Sequence, residues 1–251
     1  MLIDSHCHFS SLGIDIQKEI AKSCSSNCYF IDSSIDQESS QAAVELAKQY
    51  DFLYTSLGFH PFYADKFSDK VLAAYRKLIN ENKKILAIGE IGLDYKADSS
   101  FSKQQEAFSL LLQLAKEEDL AVFIHNRMSS DDEGLKVLEI IDEHFTSYQK
   151  VIFHCFSYSP VFLRKILQRQ GLVSFSLNIL RKNKNIVASL KECPLDNLLL
   201  ETDSPYMKIG RETSTPLDIS KVYSFAASIK GLGEEQLKES VFLNAKKIFC
   251  L

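Results

Sequence analysis

Short apolar segments rich in β-branched and aromatic residues alternate with longer amphipathic segments along the chain. About eight short segments predict strands: LIDSHC at the start, then CYFIDSS, FLYTSLGFH, KILAIGEIG, AVFIHN, KVIFHCF, GLVSFSL and NLLLETDSP. Each is apolar enough to be buried on both faces, as strands of parallel sheets are. The intervening segments, of which KQQEAFSLLLQLAKEED is the clearest, repeat apolar residues at helical spacing and predict helices.

About eight β/α units in 251 residues predict an α/β fold, a (β/α)8 TIM barrel that forms one domain over residues 1–251. An open doubly wound sheet is the alternative. That fold usually has a glycine-rich phosphate loop after its first strand, whereas this first strand leads into His6-Cys7-His8. The pattern therefore favours the barrel.

Nearly every predicted strand ends in a residue that can bind a metal ion or transfer a proton. These residues are His6, His8, His60, Glu90, His125, His154 and Asp203. In TIM barrels the carboxyl ends of the strands converge on one mouth, where catalysis takes place. Because alternate residues of a strand point to the same side, His6 and His8 can face the barrel axis together. We therefore expect all of these side chains to meet in one pocket, with Asp4 and Asp94 behind them to orient ligand imidazoles.

A ligand set of imidazoles and carboxylates suits zinc, manganese, cobalt or magnesium. The set exceeds the needs of one tetrahedral ion, and two divalent cations that share Glu90 are the simplest arrangement. Asp203 can bind a metal and also orient or deprotonate a water. The alternative for Asp203 is a carboxylate that hydrogen-bonds to the loop of Thr202 and Ser204. Cys155 is expected to pack away from the pocket, since neighbouring strand residues face opposite sides.

Six motifs occur in a fixed order through the predicted barrel: IDSHCHF, GFHP, GEIGLDY, IHNR, HCFS and ETDSPY. Together they resemble the TatD-type deoxyribonuclease family of metal-dependent hydrolases, over essentially the whole chain. The resemblance implies a hydrolase with two divalent metal ions, whose identity as Mg, Mn or Zn is left open. Family members are typically described as DNases, often 3'-5' exonucleases, so single-stranded DNA is the expected substrate.

The resemblance also implies roles for individual residues. One ion would be held by His6, His8, Glu90 and Asp203. The second would be held by Glu90, His125 and His154. Glu90 and Asp203 would be catalytic, and His60 and Arg127 match positions associated with the substrate phosphate. An ion pair with the acidic residues that follow it is the alternative for Arg127, and a supporting contact to a ligand is the alternative for His60. At Tyr158 the chain departs from the glycine common in the family, which leaves substrate choice open.

The charge distribution bears on the partner. The net charge of −4 and the sequence pI of about 5.9 argue against a broad basic surface that binds nucleic acid. The loops after strands seven and eight nevertheless carry basic residues expected to surround the mouth: Arg181, Lys182, Lys184, Lys208 and Arg211. They suit an anionic substrate, although solvated loop charges are the alternative. A nucleic acid, with DNA foremost, is the expected partner; no protein partner can be inferred.

Two other activities would use the same metal site, namely D-aminoacyl-tRNA deacylation and small-molecule amide hydrolysis. Related amidohydrolases often have a carboxylated lysine where this chain has Glu90, which favours the nuclease. The N-terminus lacks the basic and apolar regions of a signal peptide, and no apolar run is long enough to span a membrane. Six scattered cysteines fit a reducing compartment. We therefore expect a cytoplasmic enzyme.

Overall fold

The computed structural model describes residues 1–24, 28–208 and 210–251. In these residues eight parallel strands form one sheet in chain order. The strands are β1 (Leu2–Cys7), β2 (Cys28–Ser33), β3 (Leu53–Leu57), β4 (Ile85–Asp94), β5 (Ala121–Arg127), β6 (Val151–Phe153), β7 (Leu172–Phe175) and β8 (Leu198–Leu200). Each pairs in parallel with the next, and the sheet curls into a nearly closed barrel. The predicted TIM barrel is confirmed.

Helices follow the strands and cover the outside of the barrel. They are α1 (Ile14–Ser23), α2 (Gln37–Gln49), α3 (Asp69–Glu81), α4 (Phe101–Glu117), α5 (Asp131–His144), α6 (Pro160–Leu167), α7 (Lys184–Glu192), α8 (Ile219–Lys230) and α9 (Glu234–Phe249). The helical spacing predicted for α4 is confirmed, because Phe108, Leu111 and Leu112 are buried against the sheet. Burial of each such side chain contributes about 2 kcal/mol before the entropy cost of folding.

β8 and β1 complete the barrel through side-chain contacts as well as backbone contacts. The Ser5 hydroxyl donates to the carbonyl of Leu200 at 3.0 Å. The backbone N–H of Thr202 donates to Oδ1 of Asp4 at 2.9 Å. Beyond the strands, the backbone N–H of Asp203 donates to the carbonyl of His6 at 3.0 Å. This junction places the segment after β8 beside the end of β1.

Several residues predicted at strand ends lie just beyond the strands. β6 stops at Phe153 and β8 at Leu200, so His154 and Asp203 sit on the turns that follow. The backbone turns sharply there, with positive φ angles of 46° at Cys155 and 53° at Asp203. Both turns lie at the carboxyl end of the barrel. His154 and Asp203 are therefore held at the mouth by turns that the strand pattern alone does not describe.

Candidate metal centre

A cavity of about 600 Å³ opens at the carboxyl ends of the strands. Seven of the predicted site residues line it: His8, His60, Glu90, His125, Arg127, His154 and Asp203. His6 lies beneath them, fully buried, and its ring stacks on that of His154 with 4.1 Å between centroids. The structure thus brings together the residues that the sequence places far apart.

The Glu90 carboxylate lies at the centre of the imidazoles. Its Oε1 is 2.5 Å from Nδ1 of His125, 3.1 Å from Nε2 of His154 and 3.4 Å from Nε2 of His60. Its Oε2 is 3.8 Å from Nε2 of both His6 and His8. The two carboxylate oxygens therefore face two different groups of potential ligands.

His6, His8 and Asp203 form the deeper group, and their ligand atoms all lie within 4.8 Å of one another. Nδ1 of His8 donates to the carbonyl of Ser33 at 2.6 Å, which leaves the lone pair of Nε2 pointing inward. Nδ1 of His6 contacts Oγ of Ser33 at 3.0 Å. Nε2 of His6 is buried and has no hydrogen-bond partner in the described part of the chain. An unpaired buried nitrogen is costly, and a bound cation would satisfy it.

His125, His154 and Glu90 form the second group. Nδ1 of His125 and Nε2 of His154 are 3.3 Å apart, and both face Oε1 of Glu90. Nε2 of His125 donates to Oδ2 of Asp94 at 3.0 Å. The carboxylate of Asp94 thereby fixes the ring, and the lone pair on Nδ1 is directed toward Glu90. The structure has the contact expected of Asp94.

The local backbone of β4 explains how Glu90 reaches this position. The pairing of β4 with β5 shifts register between Ile88 and Ile91, and Gly89 and Gly92 have φ angles of 123° and 148°. A Cβ on Gly92 would lie 1.9 Å from the carbonyl oxygen of His125. Only glycine permits this close approach of the two strands, which brings Glu90 beside His125.

Comparison with known proteins agrees with this geometry. The family model described as TatD related DNase matches residues 3–250. The chain belongs to the TatD family. It is 30% identical to an uncharacterized metal-dependent hydrolase, YabD, of Bacillus subtilis over 99% of both chains. It is 28% identical to the 3'-5' ssDNA/RNA exonuclease TatD of Erwinia tasmaniensis over 84% of both. This TatD-family protein is an enzyme, a metal-dependent hydrolase that acts on ester bonds.

A solved structure shows the same architecture. The fold matches that of YJJV, a TatD homologue from Escherichia coli K12, with a TM-score of 0.88 and 25% sequence identity. The match covers all of this chain and 98% of the other. None of the helices in the described ranges combines the length and hydrophobicity needed to cross a bilayer.

The electrostatics of the TatD-family site keep Glu90 charged, lower the pKa of two imidazoles and raise the pKa of three others. Burial alone would raise the pKa of Glu90, but its interactions with His154, His60 and His125 bring it well below its usual value. Burial, together with the neighbouring imidazoles, lowers the pKa of His6 well below its usual value. Burial and His125 lower the pKa of His60 to about 3. Glu90, His6 and His60 are therefore in the protonation states that metal ligands require. Burial alone would lower the pKa of His8, His125 and His154, but neighbouring carboxylates raise it above its usual value. A cation that binds these three imidazoles would displace their protons.

The alternative for Asp203 does not match the observed hydrogen bonds. The hydroxyl of Thr202 contacts Oδ2 of Asp4 at 2.5 Å and the hydroxyl of Ser204 at 2.9 Å. These two hydroxyls thus bond to Asp4 and to each other. Oδ1 of Asp203 instead lies 3.4 Å from Nε2 of His8, on the cavity side. The Asp203 carboxylate is therefore available to a ligand in the cavity.

Two expectations about neighbouring residues are wrong. Cys155 lines the cavity, and its Sγ lies 3.1 Å from Oγ of Ser176. The alternation rule does not apply to Cys155, because β6 ends at Phe153. Asp4 was expected to orient an imidazole, but its carboxylate accepts the backbone N–H groups of His6 and Thr202. Asp4 therefore holds the backbone of the site.

Glu201 is the principal residue that the sequence pattern did not single out. It is fully buried, and its Oε1 accepts the backbone N–H of Cys155 at 2.7 Å. Its ligand atom lies within 4.8 Å of those of His6 and His154. Its Oε2 and Nδ1 of His154 have no hydrogen-bond partner among the described residues. The signal that could have found it is a second carboxylate in the same segment as Asp203, NLLLETDSP.

Some, but not all, of the basic side chains expected around the mouth line the cavity. Arg127 and Arg181 line the cavity, as do Tyr63 and Tyr206. Arg127 is exposed and forms no ion pair with a carboxylate in the residues that the structure covers. Asp131, a proposed competitor for Arg127, instead accepts a hydrogen bond from Ser159. The guanidinium of Arg127 is therefore accessible from the cavity.

Proposed function

We propose that the protein is a two-metal phosphodiesterase that cleaves single-stranded nucleic acid, foremost a 3'-5' exonuclease on DNA. The observation that carries the proposal is the position of Glu90, whose Oε1 faces His125 and His154 while Oε2 faces His6 and His8. A carboxylate that presents its two oxygens to two groups of imidazoles is suited to bridge two cations.

The donor atoms fit divalent cations. One ion would be held by His6, His8, Glu90 and Asp203, and the second by Glu90, His125 and His154. Imidazole nitrogens and carboxylate oxygens suit Zn, Mn or Mg. The unpaired Nε2 of buried His6 supports this assignment. When bound, the cations would lower the pKa of a water and stabilise charge that develops on the phosphoryl oxygens.

The protein's own residues would position the reacting groups. Asp203 faces the cavity beside His8, where its carboxylate can orient a water and accept its proton. The accessible guanidinium of Arg127 can donate two parallel hydrogen bonds to a phosphate. His60 accepts the backbone N–H of Phe62 on Nδ1, so its neutral ring carries the proton on Nε2, toward Glu90 and the cavity. That N–H can donate to a phosphate oxygen once substrate is bound.

The substrate assignment rests on the relatives and on the rim. Relatives such as that of Erwinia tasmaniensis are named for cleavage of single-stranded DNA and RNA from the 3' end. Arg127 and Arg181 suit an anionic ligand, and the exposed ring of Tyr206 offers a surface on which a base can stack. Both features favour a single strand, whose bases are free to leave the stack.

The proposal is tested by metal analysis and by cleavage assays on single-stranded DNA, RNA and D-aminoacyl-tRNA. Purified protein is expected to bind about two divalent ions per chain and to degrade the single strand from its 3' end. EDTA should abolish cleavage, and Mg, Mn or Zn should restore it. Glu90→Gln is expected to lower kcat/KM at least about 100-fold, because even partners one step removed from a metal cost 10–100-fold.

Glu139→Gln is the matched control, since Glu139 is exposed on α5 away from the cavity. It should retain both the ions and the activity. Cleavage that survives complete removal of metal would contradict the mechanism. Deacylation of D-aminoacyl-tRNA without cleavage of DNA or RNA would keep the metal site and replace the substrate.

A further inference from the structure

A second depression lies on the side of the barrel, between α7 and α8. We call it the basic groove and define it by Lys182, Lys184, Val187, Lys191, Phe225 and Ile229; its volume is about 480 Å³. The lysines lie on the segment that includes α7, and Phe225 and Ile229 belong to α8. Cations and apolar side chains thus line the same groove.

The basic groove continues from the catalytic cavity. Arg181 lines the cavity, and the next residue, Lys182, lines the groove. Lys184 begins α7 at the mouth of the barrel, and Lys191 lies in the last turn of this helix. A rise of 1.5 Å per residue puts Lys191 about 10 Å further down the side of the barrel. The positive charges therefore follow a line that starts at the cavity.

The three lysines of the groove are not neutralised by neighbouring carboxylates. Within the described ranges none of them lies within 4.0 Å of an acidic side chain. Glu192, which follows Lys191 in sequence, binds Arg164 at 2.6 Å instead. In a chain whose net charge is −4, this line of free ammonium groups is a local exception. It would attract an anion that extends out of the cavity.

The floor of the groove is apolar. Val187, Phe225 and Ile229 are each half-buried and lie among the lysines. A polyphosphate or a purely ionic ligand has no apolar part that could contact these side chains. A single nucleic-acid strand has both phosphates, which would bind the lysines, and bases, which would pack on the apolar surface. The combination also distinguishes this groove from ordinary solvated lysines.

We propose that the basic groove binds the part of a single-stranded nucleic acid that extends beyond the catalytic cavity. The inference rests on the proposed function and adds the path of the strand, from Arg181 past Lys182 and Lys184 to Lys191. Short substrates would occupy the cavity alone. Longer strands would gain affinity from the groove, so substrate length would determine the strength of binding.

The test compares the parent with a triple variant, Lys182→Asn, Lys184→Ala and Lys191→Ala. Asparagine is chosen because residue 182 has a φ of 57°, which asparagine tolerates. The measurement is the affinity of metal-loaded protein for a labelled, cleavage-resistant phosphorothioate 12-mer and for a dinucleotide across a salt series. Removal of the lysines should weaken 12-mer binding about 10-fold. It should also make the slope of the logarithm of the binding constant against the logarithm of salt concentration shallower by about 2, because each phosphate contact to a single strand contributes ~0.7. Dinucleotide binding should stay within about 2-fold.

The matched control carries Lys70→Ala, Lys77→Ala and Lys83→Ala, three exposed lysines on or beside α3, across the barrel. It makes the same change in net charge and should bind the 12-mer as the parent does. Parent-like binding of the 12-mer by the groove variant would overturn the inference and leave the proposed function standing. Weaker binding to anionic lipid vesicles, with 12-mer binding intact, would assign the groove to another ligand and would also overturn it. A parent that binds neither oligonucleotide would overturn both proposals.

Discussion

The hydroxyl group of Tyr158 holds the backbone on both sides of Arg127. It accepts the N–H of Met128 at 2.9 Å and lies 3.1 Å from the carbonyl of Asn126, to which it can donate. Its ring packs against that of Phe162, with 4.6 Å between centroids. Tyr158 thus acts as a positioning residue for Arg127.

Tyr158→Phe is expected to raise KM for a single-stranded oligonucleotide about 10-fold, since displacement of a binding group by about 1 Å can cost up to 100-fold. The ring packing is retained, so kcat and the content of metal should change less than about 2-fold. The measurement is steady-state kinetics on an oligonucleotide substrate, with metal analysis of the same samples.

Tyr148→Phe is the control, because the hydroxyl of Tyr148 donates to Oδ1 of Asp142 at 2.6 Å, away from the cavity. It should reduce stability by about 1 kcal/mol without affecting KM. An unchanged KM in Tyr158→Phe, or an equal rise in both variants, would show that Tyr158 does not position Arg127.

At the scale of the residue, the sequence predicts site residues whose side chains can bind a metal ion or transfer a proton. Histidines and carboxylates at the ends of predicted strands are enough to indicate a metal site. The roles of Tyr158 and Ser33 could not be predicted, because each bonds to backbone groups or rings from a different strand. Cys155 was misplaced because a left-handed turn interrupts the alternation on which the prediction depended.

At the scale of the element, the irregular strand β4 determines where Glu90 lies. All ten of its residues are buried, and its register with β5 shifts between Ile88 and Ile91. Gly89 and Gly92 make the shift possible because a side chain at either position would meet the backbone of β5. The strand thereby presents two carboxylates, Glu90 and Asp94, to the cavity while its apolar side chains pack in the core.

Gly92→Ala is expected to destabilise the fold by about 3 kcal/mol, because the new Cβ overpacks the strands and the residue must keep a positive φ. The backbone of β4 would have to move away from His125, so the folded fraction should also bind less metal than the parent. The measurements are urea unfolding and metal analysis after gel filtration.

Gly233→Ala provides the comparison, since a Cβ there would meet nothing within 4 Å. It should cost at most about 1 kcal/mol, through the weaker capping of α9. A Gly92→Ala protein with the parent's stability and full metal content would refute this account of β4.

The positions of the elements were largely predictable, and their ends were not. Apolar periodicity identified α4 and the strands, because the residues that are buried are apolar and recur at the spacing of a helix or a strand. The early ends of β6 at Phe153 and β8 at Leu200 depend on turns and on contacts with other strands. The same holds for the register shift in β4, which exists only once β5 is paired with it.

At the scale of the whole molecule, the contact between the first and last strands connects barrel closure with the metal site. The number of β/α units predicted a closed barrel, but the sequence did not show how the ends meet. Asp4, fully buried on β1, accepts the backbone N–H of Thr202 at 2.9 Å. The next residue, Asp203, donates its backbone N–H to the carbonyl of His6 at 3.0 Å. Closure of the barrel thus sets the distance between the ligands on β1 and the carboxylate after β8.

Asp4→Ala is expected to lower the free energy of unfolding by about 3 kcal/mol, because buried donors of Thr202 lose their acceptor. For a domain of this size such a loss lowers Tm by roughly 6–12 °C. The ion expected at His6, His8 and Asp203 should bind more weakly, whereas the ion expected at His125 and His154 should be retained. Calorimetry and metal competition with a chelator measure the two effects.

Asp4→Asn separates packing from hydrogen bonding at the same position. Burial raises the pKa of Asp4 well above its usual value, so the carboxyl group resists ionisation and a neutral amide is a close substitute. The amide oxygen can still accept the N–H of Thr202, and the loss of stability should be less than half of that in Asp4→Ala. If the alanine variant kept both ions with parental affinity despite its lower Tm, barrel closure would support the fold without setting the geometry of the metal centre.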